Sequence, residues 1–82
     1  MGDSEWLMDH DHELDARGLL CPLPVLKAAK RLRGMQPGEV LRLVTDDPAA
    51  VVDVPHYAAE SGNKVVGEAE EDGAQVWWVE RV

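Results

Sequence analysis

Cys21 is the only thiol in the 82 residues, and its neighbours decide whether it is inert or reactive. A lone cysteine is most often a small buried hydrophobe. This one stands in Leu19-Leu20-Cys21-Pro22-Leu23-Pro24, directly before a residue type favoured at the first position of a helix. The spacing predicts Cys21 near the N-cap, where unpaired main-chain N–H groups and the positive end of the helix dipole favour an anion. A free thiol ionises near pH ~8.5; such a position lowers that value and raises the fraction of thiolate, the nucleophilic form. Pro22 and Pro24 have no N–H, which leaves Leu23 as the nearest donor to the sulfur, and their rings hold φ near about −65°. The expectation is a stiff loop presenting one nucleophilic sulfur. Arg17-Gly18 lets the chain turn just upstream, and Arg17 is close enough in sequence to approach that sulfur.

The other chemistry-bearing side chains favour simpler roles. With one cysteine there is neither an internal disulfide, nor a CxxC redox pair, nor a multi-cysteine zinc site. Asp9-His10-Asp11-His12-Glu13 alternates metal-binding types, but an exposed tail offers no preformed geometry, and no metal is expected. Asp47 reads as a helix cap before it reads as a catalytic acid. His56 reads as a surface residue beside Pro55, and Tyr57 with the tryptophans as core or sheet-face residues. Exchange between sulfur atoms needs no general base, metal or bound cofactor; thiolate character and access govern it.

Charge and composition narrow the partners. The formal net charge is −8, which disfavours nucleic acid as the main ligand, because that binding rests on neutralised phosphates. Five of the eight basic residues, Arg17, Lys27, Lys30, Arg31 and Arg33, fall in one stretch, and six of the sixteen acidic ones precede it. A basic island in an acidic chain suggests a docking surface for something acidic; on charge alone a solvated helix face is the simpler reading. The first residues lack the basic start and apolar run of a secretory signal. Gly2 is followed by Trp6 where a myristoylation motif wants Ser or Thr. No apolar stretch approaches the ~18 residues of a membrane span. A cytoplasmic protein, not inserted in a membrane and acting as a monomer, is expected.

The elements that must position Cys21 follow from periodicity. Residues 1–11 read as an acidic tail and 12–82 as one domain. A short strand at 12–16 precedes the cysteine loop. Val25, Ala28, Ala29 and Leu32 then repeat at helical spacing, with Lys27, Lys30 and Arg31 on the opposite face and Gly34 as the stop. Residues 39–45 read as a mostly buried strand. Asp46-Asp47-Pro48 reads as a helix start, opening a segment to Ser61 that Pro55 should kink or restart. Two strands joined at Asp72-Gly73 complete the chain as a hairpin. Trp77 and Trp78 are adjacent and must face opposite sides, so one is expected to be partly exposed. The order β-α-β-α-β-β, with two helices, predicts an α/β (α+β) fold: a mixed four-stranded sheet with both helices on one face, a two-layer sandwich.

The run Leu14-Asp15-Ala16-Arg17-Gly18-Leu19-Leu20-Cys21-Pro22-Leu23-Pro24-Val25 resembles the signature of the TusA/SirA family, whose kernel is Cys-Pro-x-Pro at the start of the first helix. Met35-Gln36-Pro37-Gly38-Glu39, Asp46-Asp47-Pro48-Ala49 and Asp53-Val54-Pro55 resemble further blocks of that family, in the same order and spacing. The resemblance spans about residues 13–82. It implies a sandwich similar to the C-terminal domain of translation initiation factor three, and a sulfurtransferase-type sulfur carrier in which Cys21 holds a persulfide. It implies a cysteine desulfurase or rhodanese as donor and a sulfur-relay protein as acceptor, serving tRNA thiolation, molybdenum cofactor assembly or sulfur oxidation. It also gives Asp15, Arg17 and Gly18 the shaping of the loop, and Asp46, Asp47 and Pro48 the start of the second helix.

Some relatives carry a further cysteine in the second helix, where this chain has His56-Tyr57-Ala58-Ala59, leaving a relay with one cysteine. Lys27, Lys30 and Arg31 are the candidate docking residues for the donor. The alternative is a regulatory or transport-associated binding module that has kept the fold. Redox sensing by a mixed disulfide is disfavoured by the missing resolving cysteine.

Overall fold

The structure, a computed structural model, describes residues 10–82. The Met1–Trp6 start and most of the acidic tail lie outside the described residues. The chain runs β1 (His12–Asp15), α1 (Leu23–Arg33), β2 (Val40–Thr45), α2 (Ala50–Ser61), β3 (Lys64–Glu71) and β4 (Ala74–Glu80). The strands form one sheet in the order β1-β2-β4-β3, with β1 parallel to β2 and the other pairs antiparallel. Both helices contribute to one core with the sheet, which is the expected two-layer sandwich.

Each helix is set by its apolar spacing. In α1, Pro24, Ala28 and Leu32 are buried and Val25 and Ala29 half-buried, while Lys27, Lys30 and Arg31 face solvent. Lys30, Arg31 and Arg33 occupy the last turn, where cations complement the dipole. Arg81 Nη1 closes that end by donating to the carbonyls of Leu32, Arg33 and Met35 at 2.9, 2.9 and 2.7 Å. In α2, Ala50, Val54 and Ala58 are buried. Pro55 does not divide the segment: α2 is a single helix from Ala50 to Ser61. Proline removes one main-chain donor per helix, and with Val54 and Ala58 anchored in the core on either side, that loss is absorbed. Gly62 ends α2 at φ 82° and donates its N–H to Ala59 O, a left-handed stop suited to glycine. The β3–β4 turn is Asp72-Gly73, both at positive φ (50° and 81°), as a two-residue hairpin turn requires.

Both tryptophans of β4 are buried, Trp77 to 2% and Trp78 to 4% exposure, so neither is the exposed one that adjacency suggested. Trp77 faces the helices with Leu41, Leu43 and Val79; its Nε1 donates to Thr45 Oγ1 at 3.0 Å. Trp78 lies on the other face in a second apolar cluster with Val44, Ala74 and Val76, flanked by Val40 and Val66. Arg42, its cross-strand partner, lies 5.9 Å from the ring centroid, within cation–π range. Glu13 and Glu71 grip that guanidinium at 2.7 and 3.2 Å. Strand pairing thus places a paired arginine over the ring.

Candidate functional site

The loop from Ala16 to Pro22 leaves the end of β1 and delivers Cys21 to the surface, where it is exposed. Two adjacent acidic residues at the end of β2 hold this loop. Gly18 (φ 83°) donates its N–H to Asp46 Oδ1 at 2.9 Å. Cys21 donates its N–H to Asp47 Oδ2 at 2.6 Å. The other oxygen of Asp47 accepts the Ala49 N–H at 3.1 Å, and Asp47 O accepts that of Ala50 at 2.9 Å. The cap expected at Asp47 falls elsewhere: Ala49 is the N-cap of α2, without a side-chain cap, because residues 48–49 form a turn ahead of the helix; Asp47 braces that turn and anchors the cysteine. Sequence spacing showed the helix start but not the link to Cys21.

The start of α1 differs from expectation. Pro22, not Cys21, is the N-cap, and Leu23 is the first helical residue; the Cys21–Pro22 peptide is cis. Leu23 N–H, the expected donor to the sulfur, instead bonds Leu20 O at 2.8 Å. Arg17 turns to Asp15, with Nε and Nη2 on its two carboxylate oxygens at 3.0 and 2.9 Å. That pairing lowers Asp15 to about 2. Neither group is thus left to favour a thiolate.

What faces Cys21 is acidic. A hollow of about 220 Å³ beside it is lined by Pro22, Val25, Asp53, His56, Tyr57 and Glu60. The thiol pKa is raised above its ordinary value: the Asp53 carboxylate, an acceptor on the wall of the same hollow, favours the protonated form, slight desolvation adds to this, and the charges of Asp53 and Asp47 oppose the thiolate. The expected lowering by the helix terminus is thereby reversed, because an acceptor and negative charges beside the sulfur both favour the protonated thiol. Asp53 is the residue that sequence reading missed. The Asp53-Val54-Pro55 block was visible, but only the packing of α2 beside the cysteine loop places it in the same hollow as Cys21.

The expected docking residues lie apart from this hollow. Lys27, Lys30 and Arg31 line a different cavity of about 330 Å³ with His12, Leu14, Gly34 and Met35, between α1 and β1. Arg31 Nη1 also donates to Glu13 O at 3.1 Å. Of the His-Asp run, His12 Nε2 pairs with Glu39 at 3.1 Å and His10 with Glu13 at 3.7 Å. His56 pairs with Glu60 at 3.3 Å on the exposed face of α2. Among the described residues no helix is long and apolar enough to cross a membrane.

Fold and site together define a small α+β sandwich that displays one cysteine ahead of its first helix, pinned by the acidic pair after its second strand. Residues 12–81 match the family described as Sulfurtransferase TusA, and the chain belongs to that family of sulfur carriers. It is 45% identical to the sulfur carrier protein TusA of Allochromatium vinosum over 67 residues, covering 82% of this chain and 88% of the relative. It is 36% identical to that of Pseudomonas entomophila over 72 residues, covering 88% and 90%. Its fold is similar to the crystal structure of a SirA-like protein from Desulfitobacterium hafniense, with a TM-score of 0.77 at 25% identity, covering 85% of this chain and 96% of that one.

Proposed function

We propose that this protein carries sulfur as a persulfide on Cys21, accepting it from a cysteine desulfurase or rhodanese and passing it to an acceptor protein in the cytoplasm. The observation that carries this reading is the exposed Cys21, held at the surface by Asp47 in a chain of the sulfur-carrier family. The chemistry is sulfur exchange. The Cys21 thiolate attacks the outer sulfur of the donor persulfide, a new S–S bond forms on Cys21, and the donor thiolate leaves and takes up the proton. A persulfide is more acidic than a thiol, so the loaded form is an anion at neutral pH. The sulfur sits outside any enclosed cavity, which suits a carrier that hands its cargo from protein to protein. No cofactor beyond the covalent sulfur is required. The acceptor pathway is one of tRNA thiolation, molybdenum cofactor assembly or sulfur oxidation, and the protein acts as a monomer toward each partner.

Incubation with a cysteine desulfurase and cysteine, followed by intact mass measurement, tests this. The expected gain is about 32 Da, one sulfur, lost on reduction and absent in Cys21→Ala. An equal gain in Cys21→Ala would refute the assignment.

A further inference from the structure

Carboxylates, rather than cations, surround the one thiol. The groups facing Cys21 are Asp47 from the β2–α2 loop and Asp53, His56, Tyr57 and Glu60 from α2, while Val25 of α1 and its N-cap Pro22 are uncharged. Asp47 spends its carboxylate on the N–H groups of Cys21 and Ala49. His56 is paired with Glu60, and Arg17 with Asp15. Among the described residues no basic side chain lies within ion-pair distance of Asp53, which is half-buried on the wall of the hollow. A half-buried carboxylate with no cation, lining the same hollow as a sulfur that must ionise in order to react, favours the unreactive form.

We propose that Asp53 holds the Cys21 thiol in its protonated resting form, and that sulfur is accepted when a partner brings a cation against this carboxylate. The inference rests on Cys21 being the sulfur-accepting residue. In the overall step Cys21–SH and a donor R–S–SH give Cys21–S–SH and R–SH. The thiol proton passes to Asp53 or water, the sulfur–sulfur bond of the donor breaks as that on Cys21 forms, and R–S⁻ takes up the proton. No oxidant is needed. A docked lysine or arginine would neutralise Asp53, remove the penalty on the thiolate and so couple activation to docking. The surroundings suit such a face: Leu20 (69% exposed) and Leu23 (45%) flank Cys21, and Val52 (70%) precedes Asp53. The complementary partner surface is apolar around a central lysine or arginine. Asp53 acts through the cysteine and is a positioning residue.

The test is the pH dependence of Cys21 alkylation by iodoacetamide, which involves no sulfur donor and so separates this inference from the carrier reading. The wild-type midpoint should lie above that of a free thiol. Asp53→Asn should lower it and alkylate several-fold faster at pH 7, about tenfold for each unit of fall. Asp53→Lys, a covalent stand-in for the docked cation, should be faster still, while Glu70→Gln, on β3 and outside the hollow, should follow the wild type. A wild-type cysteine already ionised at neutral pH would overturn the proposal even if the variants failed to fold. So would an Asp53→Asn profile that superimposes on the wild type, or a shift as large in Glu70→Gln. Asp53→Lys reacting no faster than Asp53→Asn would overturn the role of the cation.

Discussion

The main-chain N–H of Cys21 and the Oδ2 of Asp47 lie 2.6 Å apart, a charge-assisted bond between the loop before α1 and the loop before α2. Asp47 is buried and satisfies two further main-chain donors of its own loop, one of them through its carboxylate. Replacing it by alanine leaves the N–H groups of Cys21 and Ala49 without acceptors. We expect Asp47→Ala to cost about 1–3 kcal/mol in urea unfolding and to slow sulfur loading of the folded fraction. Asp47→Asn, which keeps a carbonyl acceptor, should cost less.

Arg81 makes a separable contribution. One of its nitrogens meets three carbonyls at the end of α1. Arg81→Ala should lower stability by about 1–3 kcal/mol without changing the alkylation rate of Cys21, as unfolding midpoints and iodoacetamide kinetics on the same samples will read.

The two tryptophans of β4 allow a matched comparison. Trp77 Nε1 has Thr45 as acceptor, whereas Trp78 Nε1 is buried without a partner. Substitution by phenylalanine removes the same volume from each and keeps an aromatic ring beneath Arg42 at position 78, so the difference between them chiefly reports the hydrogen bond. Trp77→Phe is expected to be the more destabilising, by about 1 kcal/mol; equal unfolding midpoints would contradict this.

Asp15 gives a pH prediction. Its carboxyl is lowered from 3.8 to about 2 by Arg17, so the native state binds the proton less tightly than the unfolded chain. The stabilisation is therefore present above pH 3.8 and is lost as pH falls toward 2. Carboxyl-carbon NMR titration of Arg17→Ala should return Asp15 toward its ordinary value. Both groups are exposed, and the effect on overall stability should be small.

Reversing charge on the α1 face tests docking. Lys27→Glu with Lys30→Glu should slow loading by a protein donor while leaving loading by a small persulfide unchanged. Equal loss with both donors would point to damage at Cys21 instead.

Much of this architecture was legible in the chain. The Val25, Ala28, Ala29 and Leu32 spacing located α1, and Asp72-Gly73 located the hairpin, because both signals are local. The burial of Trp78 was not legible, since it depends on which strand places Arg42 beside it. Nor was the state of the thiol. The helix N-terminus is a local signal and argued for a thiolate, but Asp47 and Asp53 reach Cys21 only through the packing of the α2 end of the molecule against the loop. The helix also begins one residue later than the prolines suggested, at Leu23, whose N–H turns back to Leu20.

The central claim is that Cys21 itself carries the sulfur. The most direct measurement follows radiolabelled sulfur from cysteine, through a desulfurase, onto this protein, with peptide mapping of the label. The account predicts label confined to the peptide containing Cys21, released by a reducing thiol and absent in Cys21→Ala. Label retained by Cys21→Ala, or found on any other peptide, would contradict it.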